Sequence, residues 1–124
     1  MDRYLVVMLG GATGSLARYL IGTAIMSRMG GRFPLGTFFI NITGSFLIGF
    51  TMTLLTQRLN PHPNWQLGLV VGVLGGYTTF SSFEWETIGL MRSGALWLGL
   101  MNVMGSVLLG YFAVWLGVLV VGRR

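Results

Sequence analysis

The stretch GGYTTFSSF, residues 75–83, decides how this chain is interpreted. It lies inside an apolar run that is long enough to enter a membrane. A glycine pair and four hydroxyl residues continue a transmembrane helix poorly, and irregular backbone at membrane depth is tolerated only where it is buried in protein or lines a polar cavity. Broken helices at the bilayer midplane also build ion sites. The stretch therefore predicts a span that is broken at the midplane and handles a small ion.

Composition predicts an all-α membrane protein. The chain has 124 residues, of which 53% are hydrophobic and 9% are charged, whereas soluble domains carry about 25% charged residues. The charged positions separate four apolar spans, at about residues 4–26, 36–57, 65–91 and 95–121. Each span meets the roughly 20-residue requirement for crossing the hydrocarbon core. We therefore expect one four-helix transmembrane domain over residues 1–124, which passes several times through the cell (inner) membrane.

The distribution of arginine predicts a dual-topology dimer. With four spans, one side of the membrane carries Arg3, Arg58, Arg123 and Arg124, and the other side carries Arg28, Arg32 and Arg92. This near balance gives almost no positive-inside bias, so two opposite copies could pair as an antiparallel homodimer. The alternative is that effects other than loop charge select one orientation. The arginines are scattered rather than clustered, so nucleic acid is not expected as a partner.

Polar side chains within the spans indicate an ion site rather than a catalytic one. Thr37, Asn41 and Ser45 share one face of the second span, and Asn102 and Ser106 share one face of the fourth. Cysteine is absent, and the single histidine lies in a proline-rich loop. No nucleophile–base pair and no phosphate-binding glycine loop is present. The pattern excludes thiolate chemistry, leaves a histidine metal site unsupported and argues against an enzyme.

Phe80 and Phe83 follow the predicted break, with hydroxyls at Ser81 and Ser82 between them. Two such rings could simply face lipid or pack against other helices. An aromatic ring, however, has a positive edge, so ring edges together with amide and hydroxyl donors could replace the water around a small anion. Arg18 lies well inside the first span, where it could snorkel to the headgroups, form a cationic vestibule or pair with Glu86.

Three segments carry a resemblance to a known family. They are GGATGSLARY at residues 10–19, GTFFIN at residues 36–41, and GVLGGYTTFSSF at residues 72–83 together with Glu86. Over its whole length the chain resembles the Fluc (CrcB) fluoride channels of bacteria and archaea. The resemblance implies an antiparallel homodimer with two fluoride pores. It also implies passive export of fluoride from the cytoplasm, which gives fluoride resistance.

The resemblance also implies roles for individual residues. Phe80 and Phe83 would line the pore, and Asn41 would contribute a donor beside a polar track that includes Thr37 and Ser106. Arg18 would lie toward a vestibule. A Na⁺ ion would sit at the dimer centre, bound by backbone carbonyls that the motif places at Gly75 and Thr78. The further candidates, without an assigned role, are Thr79, Ser81, Glu86 and Asn102.

Three departures and two rival functions accompany the resemblance, and the mildest departure is Ser82 at a position that is often threonine. Glu84 follows Phe83 where a small or hydroxyl residue is usual, and Asn102 stands where some members have an aromatic residue. One rival is a small four-helix, proton-coupled multidrug-type exporter, which needs a titratable carboxylate in its binding site. The first span has none, so only Glu84 or Glu86 could serve. The other rival is a membrane assembly protein without transport activity, which leaves the polar stretch in the third span unexplained.

Overall fold

The computed structural model describes residues 2–122, and every regular element in that range is helical. The elements in chain order are α1 (Arg3–Met29), α2 (Leu35–Thr53), the π-helix π1 (Leu54–Leu59), α3 (Pro63–Gln66), the π-helix π2 (Leu67–Leu74), α4 (Gly75–Tyr77), α5 (Phe80–Arg92) and α6 (Leu96–Gly122). Arg123 and Arg124, which entered the charge count, lie outside the described residues.

Three of these helices are long and apolar enough to cross a membrane. They are Arg3–Met29, Leu35–Leu59, which joins α2 and π1, and Leu96–Gly122. They coincide with the first, second and fourth spans predicted from the sequence. The chain is therefore an all-helical, multi-pass membrane protein. The predicted third span is divided among α3, π2, α4 and α5, so it contains no single helix of that length.

The helical backbone is interrupted between α4 and α5, although not at the glycine pair. Gly75 and Gly76 both belong to α4, and Gly75 has the helical dihedrals φ −63°, ψ −39°. The extended residues are Thr78 (φ −81°, ψ 155°) and Thr79 (φ −149°, ψ 115°). Thr78 and Thr79, rather than Gly75 and Gly76, are therefore the residues that leave the helix. Threonine favours this extended conformation because its branched side chain fits it well, and Thr79 then caps α5.

Gly76, in the predicted third span, serves helix packing. Gly10 and Gly14 are the two buried residues of α1, and α1 lies along π2 and α4. A Cβ atom on Gly14 would collide with the carbonyl oxygen of Val73, and one on Gly76 would come within 2.6 Å of the carbonyl oxygen of Gly11. Small residues let helix backbones approach closely in membranes. Glycine at these positions therefore permits the close packing of α1 against π2 and α4.

The other extensive contact joins α2 to α6. Gly49 on α2 and Gly117 on α6 are both buried, and a Cβ atom on either would collide with a backbone carbonyl of the opposite helix. Most of the large apolar side chains are exposed on the single chain, including Tyr4, Trp85 and Tyr111. Lipid is as apolar as leucine, so such a surface is stable in a bilayer. α5 packs mainly on α6 and makes smaller contact with α2.

Candidate ion pathway

Most of the candidate residues line one cavity, which lies where the predicted third span is interrupted between α4 and α5. It has a volume of about 380 Å³ and lies among α2, the region from π2 to α5, and α6. The predicted site residues among those that line it are Asn41, Gly75, Thr78, Thr79, Phe80, Phe83 and Ser106. No charged side chain lines it. We call it the central cavity.

Asn41 is bonded to the interrupted backbone in both directions. Its Nδ2 donates to the Thr79 carbonyl at 2.9 Å, and its Oδ1 accepts from the Thr79 N–H at 2.8 Å. In a continuous helix that N–H would instead bond to the Gly75 carbonyl. The amide therefore replaces the hydrogen bonds that the extended backbone loses, as buried backbone in a membrane requires. Nδ2 carries a second hydrogen, which these two bonds leave available to the cavity.

Phe80 and Phe83 form the aromatic wall of the central cavity. Their ring centroids are 5.7 Å apart with an angle of 39° between the planes. Phe83 is 9% exposed and packed within the chain, whereas Phe80 is 71% exposed. Because the residues are three apart on α5, both rings lie on the side that faces the cavity. In a single chain, Phe80 therefore forms the exposed half of this wall, and the cavity is open on that side.

The hydroxyl groups around the cavity differ in how firmly they are bonded. Ser45 donates to the Asn41 carbonyl at 2.7 Å, and Thr78 donates to the Leu74 carbonyl at 2.9 Å. Thr79 donates to Ser82 Oγ at 3.0 Å. Ser106 reaches only Asn102 Oδ1, at 3.5 Å, which is at the limit of a hydrogen bond. Its hydroxyl can therefore turn toward a ligand at the smallest cost.

A second cavity, of about 420 Å³, lies one helical turn away and contains charge. Thr37 and Glu86 line it together with Arg32 and Ser93. Thr37 Oγ1 donates to Glu86 Oε1 at 2.8 Å, and Arg32 donates to Ser93 Oγ at 2.8 Å. Glu86 Oε2 is buried without a hydrogen-bond partner. We call this the outer cavity, because Arg32 and Ser93 lie at the loop ends of α2 and α5.

The two cavities follow the same pair of helices. Thr37 precedes Asn41 by four residues on α2, and Glu86 follows Phe83 by three on α5, so each pair shares a helix face. The polar side chains thus form one track from Arg32 and Ser93, past Thr37 and Glu86, to Asn41, which lines the central cavity together with the Phe83 ring. Such a track offers donors and acceptors at each helical turn.

The remaining candidates lie outside both cavities. Arg18 is half-buried on α1, and Ser81 and Glu84 are exposed. Glu86 accepts a hydrogen bond from Thr37 rather than from Arg18. Glu84 does not line the central cavity, so its carboxylate does not face a ligand held there within the chain. Among residues 2–122, no three His, Asp and Glu side chains come together where they could hold a metal ion.

Four residues of this region were not selected from the sequence. Two of them form the outer end of the track, and the other two are buried hydroxyl residues. Arg32 and Ser93 lie in connecting segments far apart in sequence, and no periodicity links them. Tyr77, which bonds to Thr43 at 2.9 Å, and Thr87, which accepts from Asn102 at 2.9 Å, were also missed. Both are buried hydroxyls within apolar helices. A polar side chain inside an apolar span is the sequence feature by which both could have been identified.

Comparison with known proteins places the chain in a family. A model of the family described as CrcB-like protein, Camphor Resistance (CrcB), matches residues 5–118. The chain belongs to the CrcB family. A protein of Solibacter usitatus named fluoride-specific ion channel FluC is 65% identical over 121 residues, which cover 98% of this chain and 99% of that protein.

More distant members of the CrcB family carry the same name. Proteins of Acidobacterium capsulatum and Thermus thermophilus, both named fluoride-specific ion channel FluC, are each 48% identical to this chain. The first match covers 98% of this chain and 97% of the relative, and the second covers 94% and 93%. These relatives are named as channels, which are passive transporters and not enzymes.

Proposed function

We propose that this protein is a fluoride-specific ion channel of the cell (inner) membrane. The observation that carries the proposal is the central cavity, whose lining joins Asn41, Phe80, Phe83 and Ser106 and includes no charged side chain. Membership of the CrcB family and the names of its full-length relatives support the same function. The channel would let F⁻ leave the cytoplasm down its gradient and so protect the cell from fluoride.

The chemistry of the central cavity suits a small, strongly hydrated anion. A ring edge is positive, and amide N–H and hydroxyl groups are neutral hydrogen-bond donors. Asn41 Nδ2, the Ser106 hydroxyl and the edges of Phe80 and Phe83 would together replace the hydration shell of F⁻. Neutral donors bind the ion well enough for it to enter and weakly enough for it to leave, which conduction requires.

The outer cavity would connect this site to the aqueous phase. Its arginine, Arg32, would raise the local concentration of anions, and the Thr37 hydroxyl would receive the ion next. The Glu86 carboxylate beside Thr37 would repel F⁻ unless the side chain turned away, so its position can affect the rate of entry. The role of Arg18 in a vestibule stays a prediction, since this residue lines neither cavity.

We propose further that the third span is a helix broken at the bilayer midplane and that two copies pair in opposite orientations. The ring of Phe80 and the backbone of Gly75 are exposed on the single chain, although both line the central cavity. A second copy would close the open side. The nearly balanced arginines support insertion in both orientations. The dimer would then contain two pores, one for each copy of the cavity.

A structural Na⁺ at the centre of this dimer fits the backbone of α4. The Thr79 N–H donates to Asn41, which leaves the Gly75 carbonyl without its helical hydrogen bond. Carbonyls at a helix C-terminus carry partial negative charge, and a hard cation takes oxygen ligands. We propose that the carbonyls of Gly75 and Thr78 from both copies would hold the ion and fix the two broken helices against each other.

The rival transport function has little support. A proton-coupled multidrug-type exporter needs an acidic residue in its binding site, but Asp2, Glu84 and Glu86 are the only acids and none lines the central cavity. Relatives over nearly the whole length carry the name of a fluoride channel. A membrane assembly protein without transport activity would have no use for the donors around Phe80 and Phe83.

Fluoride efflux from liposomes tests the proposed function. The purified protein would be reconstituted into vesicles loaded with fluoride, and release would be followed with a fluoride electrode beside vesicles loaded with chloride alone. We expect rapid fluoride release that needs no proton gradient, and no comparable chloride release. Release that required a proton gradient would indicate a coupled carrier. No release from a correctly folded dimer would reject the channel.

A further inference from the structure

The side chain of Asn102 is buried deep between α6 and its neighbours. It is 1% exposed, the lowest value among the buried polar side chains of residues 2–122. It does not line the central cavity. An amide in such a position must find partners within the protein, because an unsatisfied polar group is costly in a membrane. The partners of Asn102 therefore indicate what this residue does.

One partner connects Asn102 to the backbone of Phe83. Asn102 Nδ2 donates to Thr87 Oγ1 at 2.9 Å, and Thr87 Oγ1 donates to the Phe83 carbonyl at 2.7 Å. Both bonds are buried. The chain of bonds ties α6 to α5 at the residue that forms the buried half of the aromatic wall. A shift of Asn102 would be transmitted to Phe83 by these two contacts.

The other partner is Ser106, which lies one turn further along α6 and lines the central cavity. Ser106 Oγ is 3.5 Å from Asn102 Oδ1, whereas Ser45 and Thr78 donate to carbonyls of their own helices. The Asn102 side chain thus supplies the contact that orients the Ser106 hydroxyl. The bond is long, so an ion can compete for the hydrogen.

We propose that Asn102 is a positioning residue of the ion site. Through Thr87 it fixes the backbone of Phe83, and through Ser106 it orients a hydroxyl donor, so one buried amide aligns two walls of the cavity. This inference rests on the proposed fluoride channel function. It assigns Asn102 no contact with the ion.

The experiment separates positioning from stability with four variants of the full-length protein. They are Asn102→Leu, Thr87→Val, the double variant, and the control Thr53→Val. Thr53 is a matched control because it is also buried and donates to a carbonyl four residues earlier, but on α2 and outside both cavities. Fluoride efflux from liposomes and thermal unfolding in detergent are measured for each variant.

Thr87→Val leaves the buried Asn102 amide without its Thr87 partner, Asn102→Leu leaves Thr87 with its bond to the Phe83 carbonyl alone, and the double variant removes both polar groups. We expect Asn102→Leu and Thr87→Val to lower both the midpoint of unfolding and the fluoride efflux, the latter by about tenfold. The double variant should regain much of the unfolding midpoint while its efflux stays low, because the Ser106 hydroxyl has lost its orienting partner. Thr53→Val should conduct like the wild type.

Recovery of efflux together with stability in the double variant would show that Asn102 serves packing alone and would overturn the inference. So would wild-type efflux in Asn102→Leu. If the single variants fail to fold, the double variant still decides between the two outcomes. Absence of fluoride efflux from the wild-type protein would instead reject the proposed function, and the inference with it.

Discussion

At the scale of single residues, the aromatic wall is the most direct test of how the ion is solvated. Phe83 is held by its neighbours, and its ring faces the central cavity. Phe83→Ile keeps an apolar side chain but removes the positive ring edge. We expect fluoride efflux to fall on the order of tenfold while the protein stays folded and dimeric by size-exclusion chromatography.

Phe112→Ile is the matched control for this change. Phe112 lies on α6, is exposed, packs at a tilt against Trp115 and lines neither the central nor the outer cavity. Its replacement should leave efflux unchanged. Efflux at the wild-type rate in Phe83→Ile would contradict a role for its ring in the pore. Efflux at the wild-type rate in Phe80→Ile would likewise contradict a role for the exposed Phe80 ring in the pore.

Asn41 bonds to Thr79 in both directions, and we propose that it also donates to the ion. Asn41→Asp would place a negative charge beside the anion path and would lose the donor to the Thr79 carbonyl. We therefore expect no measurable fluoride efflux. Asn60→Asp, the same change in an exposed connection where the backbone is left-handed, serves as the control. Robust efflux in Asn41→Asp would count against Asn41 as a donor in the pore.

At the scale of helices, contact with α1 holds π2 and α4 in place, and these two elements form the first half of the third span. Gly14→Ala would push a methyl group into the carbonyl of Val73 and toward the N–H of Tyr77. Overpacking of this kind typically costs about 1–3 kcal/mol of unfolding free energy. We expect a lower midpoint of thermal unfolding in detergent and a loss of efflux, because the displaced α4 carries Thr78 and Thr79 with it.

Gly11→Ala provides the comparison on the same helix. A Cβ atom at Gly11 would meet nothing within 4 Å, so this variant should unfold like the wild type or slightly later, since alanine favours helix over glycine. Equal stability of Gly14→Ala and Gly11→Ala would show that α1 does not pack closely against π2 and α4.

At the scale of the whole molecule, the structural cation is testable without a mutation. If Na⁺ links the two copies through the carbonyls of Gly75 and Thr78, complete replacement of Na⁺ by a large organic cation should abolish efflux or weaken the dimer. Addition of Na⁺ should restore both. Unchanged efflux and an unchanged dimer after exhaustive Na⁺ removal would remove the cation from the proposal.

The proposed antiparallel assembly also predicts how the chain responds to added charge. The nearly even distribution of arginine gives little preference for either orientation. Extending the C-terminus by several lysines should fix that terminus on the cytoplasmic side, which a C-terminal reporter fusion can detect. We expect fluoride efflux to be lost from cells that make this variant alone. Unchanged efflux from a single, fixed orientation would contradict the antiparallel dimer.

The sequence alone determined the class of the protein and most members of the central cavity. Apolar length and sparse charge predict membrane-spanning helices because burial in lipid depends on composition over about 20 residues. Asn41, Phe80, Phe83 and Ser106 could be selected because polar or paired aromatic residues within a span are conspicuous against leucine, valine and glycine. The motif over residues 72–83 then indicated the CrcB family.

Tertiary structure alone decided how those residues are used. A break was expected within residues 75–83, but only the structure shows that Thr78 and Thr79 carry the extended backbone and that Gly76 packs against α1. Two hydrogen bonds join Asn41 to Thr79, and two more connect Asn102 through Thr87 to Phe83. Each set joins residues of different helical segments. Periodicity along a sequence reports which face of a helix a residue occupies, while the partner on that face depends on how the helices pack.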